Sequence, residues 1–183
     1  MKSLLKILVC LVIVFVGLCK PETGEINYSE QSNNPNVPIN TEVVLNKGFK
    51  PVMGQTVYVP IYSHIYYLRK RKVYNLAATI SIHNIDLNNS IVLKFVKYYD
   101  TNGTFLNDYI SKPVKLGPLA STDFFIEQHD TRGGVGANFL IEWVSETKVS
   151  PPIVESVMLG TAGTQGVSFL STGRVIKEFK PAK

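Results

Sequence analysis

Cysteine is almost missing from this chain. Its two copies, Cys10 and Cys19, both fall in the first 19 residues, and none occurs from Lys20 to Lys183. That stretch can close no disulfide of its own, so any fold it adopts must rest on its core. Histidine is scarce too, with only His64, His83 and His129, and their spacing matches no zinc or copper motif. A large excess of one charge is also lacking. The formal net charge is +5, and without Lys2 and Lys6 the balance of 17 basic against 14 acidic residues leaves +3. This excludes the strongly basic surface of a nucleic-acid-binding protein. No Gly-x-Ser-x-Gly elbow occurs, and the glycines at 133, 134 and 136 are followed by no Walker Lys-Ser/Thr ending. They suit a tight turn better than a phosphate cradle, and no other cofactor signature is present.

What the chain has first is a leader. Lys2 and Lys6 precede the apolar run Ile7 to Cys19, and Lys20-Pro21-Glu22 follow at once. A run this short fits a secretory signal, since a spanning helix needs about 20 residues. The segment Val16-Gly17-Leu18-Cys19 partly resembles a bacterial lipobox: Val16 and Gly17 suit the pattern, while Leu18 stands where Gly, Ala or Ser is usual. Residues 1–19 are thus expected to be a signal peptide or lipoprotein leader, with Cys19 the lipidation candidate. Plain cleavage or an uncleaved anchor remain the alternatives. Residues 20–42 turn to Asn, Pro, Ser, Glu and Thr, the composition of a flexible tether that cannot offset its own ordering entropy.

From Val43 to Lys183 the pattern is that of a single all-β domain. Apolar runs are short, rich in Val, Ile, Tyr and Phe, and divided by Gly, Pro, Asn and Asp. No helical period competes with them. Strands are expected at 56–63, 74–84, 91–100, 105–110, 122–129, 138–145, 153–159, 167–171 and 174–178. Leu76, Ala78, Ile80 and Ile82 share one face of their segment and Ala77, Thr79, Ser81 and His83 the other. Asn102-Gly103 should fold residues 105–110 back as a hairpin. About nine such strands need two layers, which predicts an antiparallel two-sheet β-sandwich, immunoglobulin-like or fibronectin-like, without a disulfide.

Four blocks then carry a likeness: Val57–Tyr66, Leu76–Asn84, Gly133–Phe139 and Gly166–Arg174. Across about residues 51–176 the chain resembles the bacterial domain-of-unknown-function family numbered 3124. The resemblance implies an exported or envelope-associated bacterial domain and supplies no catalytic residues.

The residues offer three functional readings. The first is a non-enzymatic envelope module, held at the membrane through the leader or Cys19, that binds an envelope protein or glycan through loops and tyrosines, Tyr66 among them. The second is a sensor for a metal or small polar ligand, built from His64, His129, Asp130 and Glu155 if folding gathers them. The weakest is a hydrolase using Ser63, Ser121 or Ser168 with His129 and Asp130. Adjacent residues on one strand point to opposite faces, so that His-Asp pair could not orient itself as a triad requires. The block Arg69-Lys70-Arg71-Lys72, flanked by Tyr66, Tyr67 and Tyr74, reads as a solvated loop, or less readily as a patch for anionic lipid or polysaccharide.

Overall fold

The structure, a computed structural model, describes residues 41–45, 48–69, 71–162 and 165–179. The leader, Cys19 and the expected tether up to residue 40 lie outside them. Among the described residues no helix is long and apolar enough to cross a membrane. The strands are β1 (Thr41–Glu42), β2 (Met53–Pro60), β3 (His64–Tyr67), β4 (Lys72–Asn75), β5 (Ala77–His83), β6 (Ile91–Tyr99) and β7 (Phe105–Asp108). They continue as β8 (Val114–Leu116), β9 (Ser121–Ile126), β10 (Asn138–Ser145), β11 (Ile153–Ala162), β12 (Gln165–Thr172) and β13 (Arg174–Glu178), with a 3₁₀ turn at Gly134–Gly136.

The protein is all-β and its strand pairings are antiparallel. One sheet runs β1-β8-β6-β10-β2-β13, with β7 also on β6; a second runs β12-β11-β5-β9; β3 and β4 form a separate ribbon. Period-two alternation explains which faces are covered. In β5, Ala78, Ile80 and Ile82 are buried while Thr79, Ser81 and His83 stay partly exposed. Phe139, Ile141 and Trp143 do the same in β10. Inward residues of both sheets, including Val57, Val96 and Trp143 from the first and Ile80, Val154 and Met158 from the second, join one hydrophobic cluster. Burial of each such side chain stabilises the fold by roughly 1.5–3 kcal/mol.

The 100–104 turn forms as its Asn-Gly dictates. Gly103 takes φ +78°, and Asp100 Oδ1 accepts from the amides of Asn102 at 2.8 Å and Thr104 at 2.7 Å. Elsewhere boundaries shift. The expected strand 74–84 is divided between β4 and β5, because the chain leaves the ribbon at Leu76, whose amide donates to the Ser63 carbonyl at 2.9 Å. The expected strand 122–129 stops at Ile126, where a turn begins. Thr41 and Glu42, the last residues of the expected tether, pair with Lys115 and Val114. The ribbon, β1 and β8 are each four residues or fewer, too short for alternation to reveal them.

The link from the second sheet to the first is built around Asn84, which is 1% exposed. Its Nδ2 donates to the carbonyls of Asn89 (2.9 Å), Gly117 (2.7 Å) and Leu116 (3.3 Å). Its Oδ1 accepts the Asp86 amide at 3.1 Å. Asn84→Ala removes four hydrogen bonds made by a buried side chain and should cost about 2–3 kcal/mol, where Asn88→Ala, on the exposed side of the turn, should cost well under about 1 kcal/mol. Urea unfolding of the two variants measures the difference.

Next to it, Asp86 accepts the amides of Asn88, Asn89 and Ser150. These bonds hold its carboxyl below the ordinary value of 3.8. A carboxylate depressed in the folded state contributes stability above its unfolded pKa and loses it as pH falls through the folded one. Thermal melts should therefore show stability dropping below about pH 3.8, with a shallower drop in Asp86→Asn.

Candidate functional site

The ribbon, the loop after β9 and the β6–β7 hairpin meet at one end of the sheets. Beyond β2 the chain continues against the loop, with Ile61 N donating to Ala137 O and Ser63 N to Gly134 O, both at 3.0 Å. Thr101, at the hairpin, gives its amide and its hydroxyl to Gly133 O, each at 2.9 Å, and its Oγ1 accepts the Gly136 amide at 2.9 Å. The backbone groups of the glycine-rich loop are therefore used inside the fold. Gly134 takes φ +76°, the positive φ that the sequence predicts for this loop.

Under the loop lies a buried polar pair, Ser63 Oγ and Tyr98 OH, 3.1 Å apart. Tyr98 stacks on Phe139 at 5.1 Å, and Tyr109 meets both Phe139 and Phe124. Burial pushes both phenols above their ordinary pKa, while the Ser63 bond acts the other way on Tyr98. Gly133 closes the pair from above. Its φ is −67°, so conformation alone would allow alanine, yet a Cβ there would lie 2.0 Å from Tyr98 OH and 2.7 Å from Ser63 Oγ.

The candidate residues have different partners. Asp130 is taken up by Arg132, with Nε on Oδ1 at 2.8 Å and Nη2 on Oδ2 at 2.7 Å. The guanidinium holds its carboxyl below the usual range, and Arg132 is raised in turn. His129 is exposed in the turn just before this pair. Glu155 lies on β11 between Ser81 and Thr172, on strands that carry neither His64, His129 nor Asp130. His64 and Tyr66 do come together, their rings 5.3 Å apart edge to face, with the Arg71 guanidinium 5.3 Å over the tyrosine. His64 Nδ1 and Asn75 Oδ1, on cross-strand partners, are buried without a hydrogen bond.

Among the described residues, no three His, Cys, Asp or Glu side chains are grouped to hold a metal. Of the serines considered for a hydrolase, Ser63 bonds Tyr98. Ser121 Oγ bonds His83 Nδ1 at 2.8 Å, and Ser168 sits opposite Leu159 on β12. A cleft of about 410 Å³ lined by Val43, Phe49, Asn89, Ser90, Glu146 and neighbouring residues contains none of the candidates. The Ser63–Tyr98–Gly133 contact is absent from the sequence reading, which takes Gly133 with its neighbours as turn glycines of positive φ, whereas its φ is −67°.

An all-β chain with this loop and ribbon defines the class to which comparison can be made. The family profile described as a protein of unknown function, DUF3124, matches residues 54–176, and the chain belongs to that family. Among solved structures it is similar to the crystal structure of Thermotoga maritima 1070, at 10% identity and TM-score 0.40, covering 66% of this chain and 92% of that one. No curated protein matches it.

Gly133→Ala should destabilise the fold by about 2–3 kcal/mol through the clash with Tyr98. Tyr98→Phe alone should cost about 1 kcal/mol, since Ser63 loses its partner. Combined with Gly133→Ala it removes the clashing oxygen, so the double variant should be more stable than the sum of the singles by about 1 kcal/mol or more. Strict additivity in a double-mutant cycle would show that the close approach is not what limits residue 133.

Proposed function

We propose that this protein is an exported bacterial cell-envelope module, tethered to a membrane through its leader or Cys19, that works by binding an envelope protein or glycan rather than by catalysis. In this reading the two sheets pack face to face as a β-sandwich of immunoglobulin-like or fibronectin-like kind, and residues 20–40 act as the spacer. The supporting observation is the ribbon: it belongs to neither large sheet and exposes Tyr66, Tyr67, Leu68 and Val73 together. Exposed apolar groups gathered on one hairpin mark a contact surface more often than a catalytic one. The polar groups nearby are engaged structurally, Asp130 by Arg132 and Ser63 by Tyr98.

The tether is tested by expressing the full chain and its Cys19→Ala variant in a bacterium fed a fatty-acid label. The wild type should incorporate label and sediment with membranes, and the variant should lose the label. Equal labelling of both would remove lipidation at Cys19.

A further inference from the structure

The ribbon's surface chemistry fits one kind of partner more closely than the others. We infer that β3–β4 is a docking tip for an anionic lipid surface, an inference that rests on the membrane-tethered reading and names a second contact of the module with that membrane. Three features lead there.

The first is charge. Arg69, Arg71 and Lys72 are exposed at the tip, and no Asp or Glu occurs between Glu42 and Asp86. Nothing acidic in the ribbon or its flanking strands neutralises them, so the tip complements a negatively charged headgroup layer.

The second is the apolar content. Leu68 is 73% exposed at the turn, with Val73, Tyr66 and Tyr67 behind it. An aliphatic side chain at the apex, aromatics one step back and cations around them follow the order in which a lipid interface presents acyl chain, carbonyl and phosphate layers. A glycan fits less well. Tyr67 stands at 90° to Tyr74, and Arg71 covers Tyr66, so no pair of rings offers a flat platform, and Leu68 has no counterpart in a sugar.

The third is local conformation. Leu68 takes φ +59° and Arg71 φ +50°, a left-handed backbone that glycine or asparagine would adopt more easily. Meanwhile the base is fixed: Tyr74 OH donates to Gly160 O at 3.0 Å, and Gln128 Nε2 to Asn75 O at 3.2 Å. A rigid base therefore presents an apex whose residues are costly for folding alone.

The test uses residues 38–183. This fragment keeps every described strand and the described hydrophobic cluster, leaves out the leader and Cys19, and must show a cooperative thermal melt before vesicles are added. Co-sedimentation is measured with phosphatidylcholine vesicles and with vesicles containing about one quarter phosphatidylglycerol. The domain should bind the anionic vesicles and not the neutral ones. At about fivefold per cation, Arg69→Gln/Arg71→Gln/Lys72→Gln should bind on the order of 100-fold more weakly. Leu68→Ser should weaken binding severalfold while keeping the salt dependence, and unchanged melting temperatures confirm that both variants fold. Absence of binding by the wild type, equal binding by the triple variant, or binding to a soluble anionic polysaccharide without binding to vesicles would each overturn the inference. Because this fragment lacks Cys19, such a failure leaves the acyl-labelling result, and so the tether, standing on its own.

Discussion

Where the chain passes between the two large sheets, some backbone polar groups turn inward, and the fold depends on satisfying them there. Among the described residues four polar side chains are buried, Ser63, Asn84, Ser145 and Ser156, and each bonds a group at or beside such a passage. Ser156 on β11 donates to the carbonyl of Pro60 at the end of β2, 3.0 Å away, joining one sheet to the other. Ser145 closes the end of β10 onto Ser90 O, and Asn84 gathers three carbonyls from two further segments. Apolar residues of similar size would fill these spaces but would lose these bonds to the backbone. With no cysteine after Cys19, these hydrogen bonds and the apolar cluster take the place that a disulfide holds in many exported β domains.

The same constraint accounts for how the polar groups of the loop end are paired. A glycine-rich loop beside a histidine and an aspartate invites a catalytic or metal-binding reading. Here Thr101 and Ser63 occupy its backbone groups, and Arg132 occupies Asp130. What such a loop provides is close approach, since Gly133 lets a tyrosine hydroxyl and a serine meet under the backbone.

Strand positions were legible in the sequence where alternation was sustained, as in β5 and β10, and where an apolar run was bounded by turn residues, as in β6, whose hairpin with β7 the Asn-Gly turn set correctly. The ribbon was not legible, because its strands are four residues each and its residues alternate in no hydrophobic sense. Tyr66, Tyr67 and Val73 are all exposed, so burial never imposed a period on them. The candidate site was legible only in part. His64 and Tyr66 meet through their spacing of two along one strand face. Asp130, by contrast, turns to Arg132 two residues on, a local ion pair that needs the turn geometry to be known first.

The ribbon also separates what folding requires from what it tolerates. Its base is anchored through Tyr74 to the second sheet and through Asn75 to the neighbouring turn, and Leu76 N closes it by donating to Ser63 O. Adding a Cβ to Gly160 would meet Tyr74 at 2.3 Å, so the anchor is closely fitted. The apex has no such fit. Leu68 is exposed and left-handed, and it buries too little to offset a backbone cost of about 1 kcal/mol. Glycine at 68 would be easier to fold, and a polar residue easier to keep in solution. A leucine there, beside Arg69, Arg71, Tyr66 and Tyr67 on a braced hairpin, is accounted for by the proposed docking tip and not by the packing of the domain beneath.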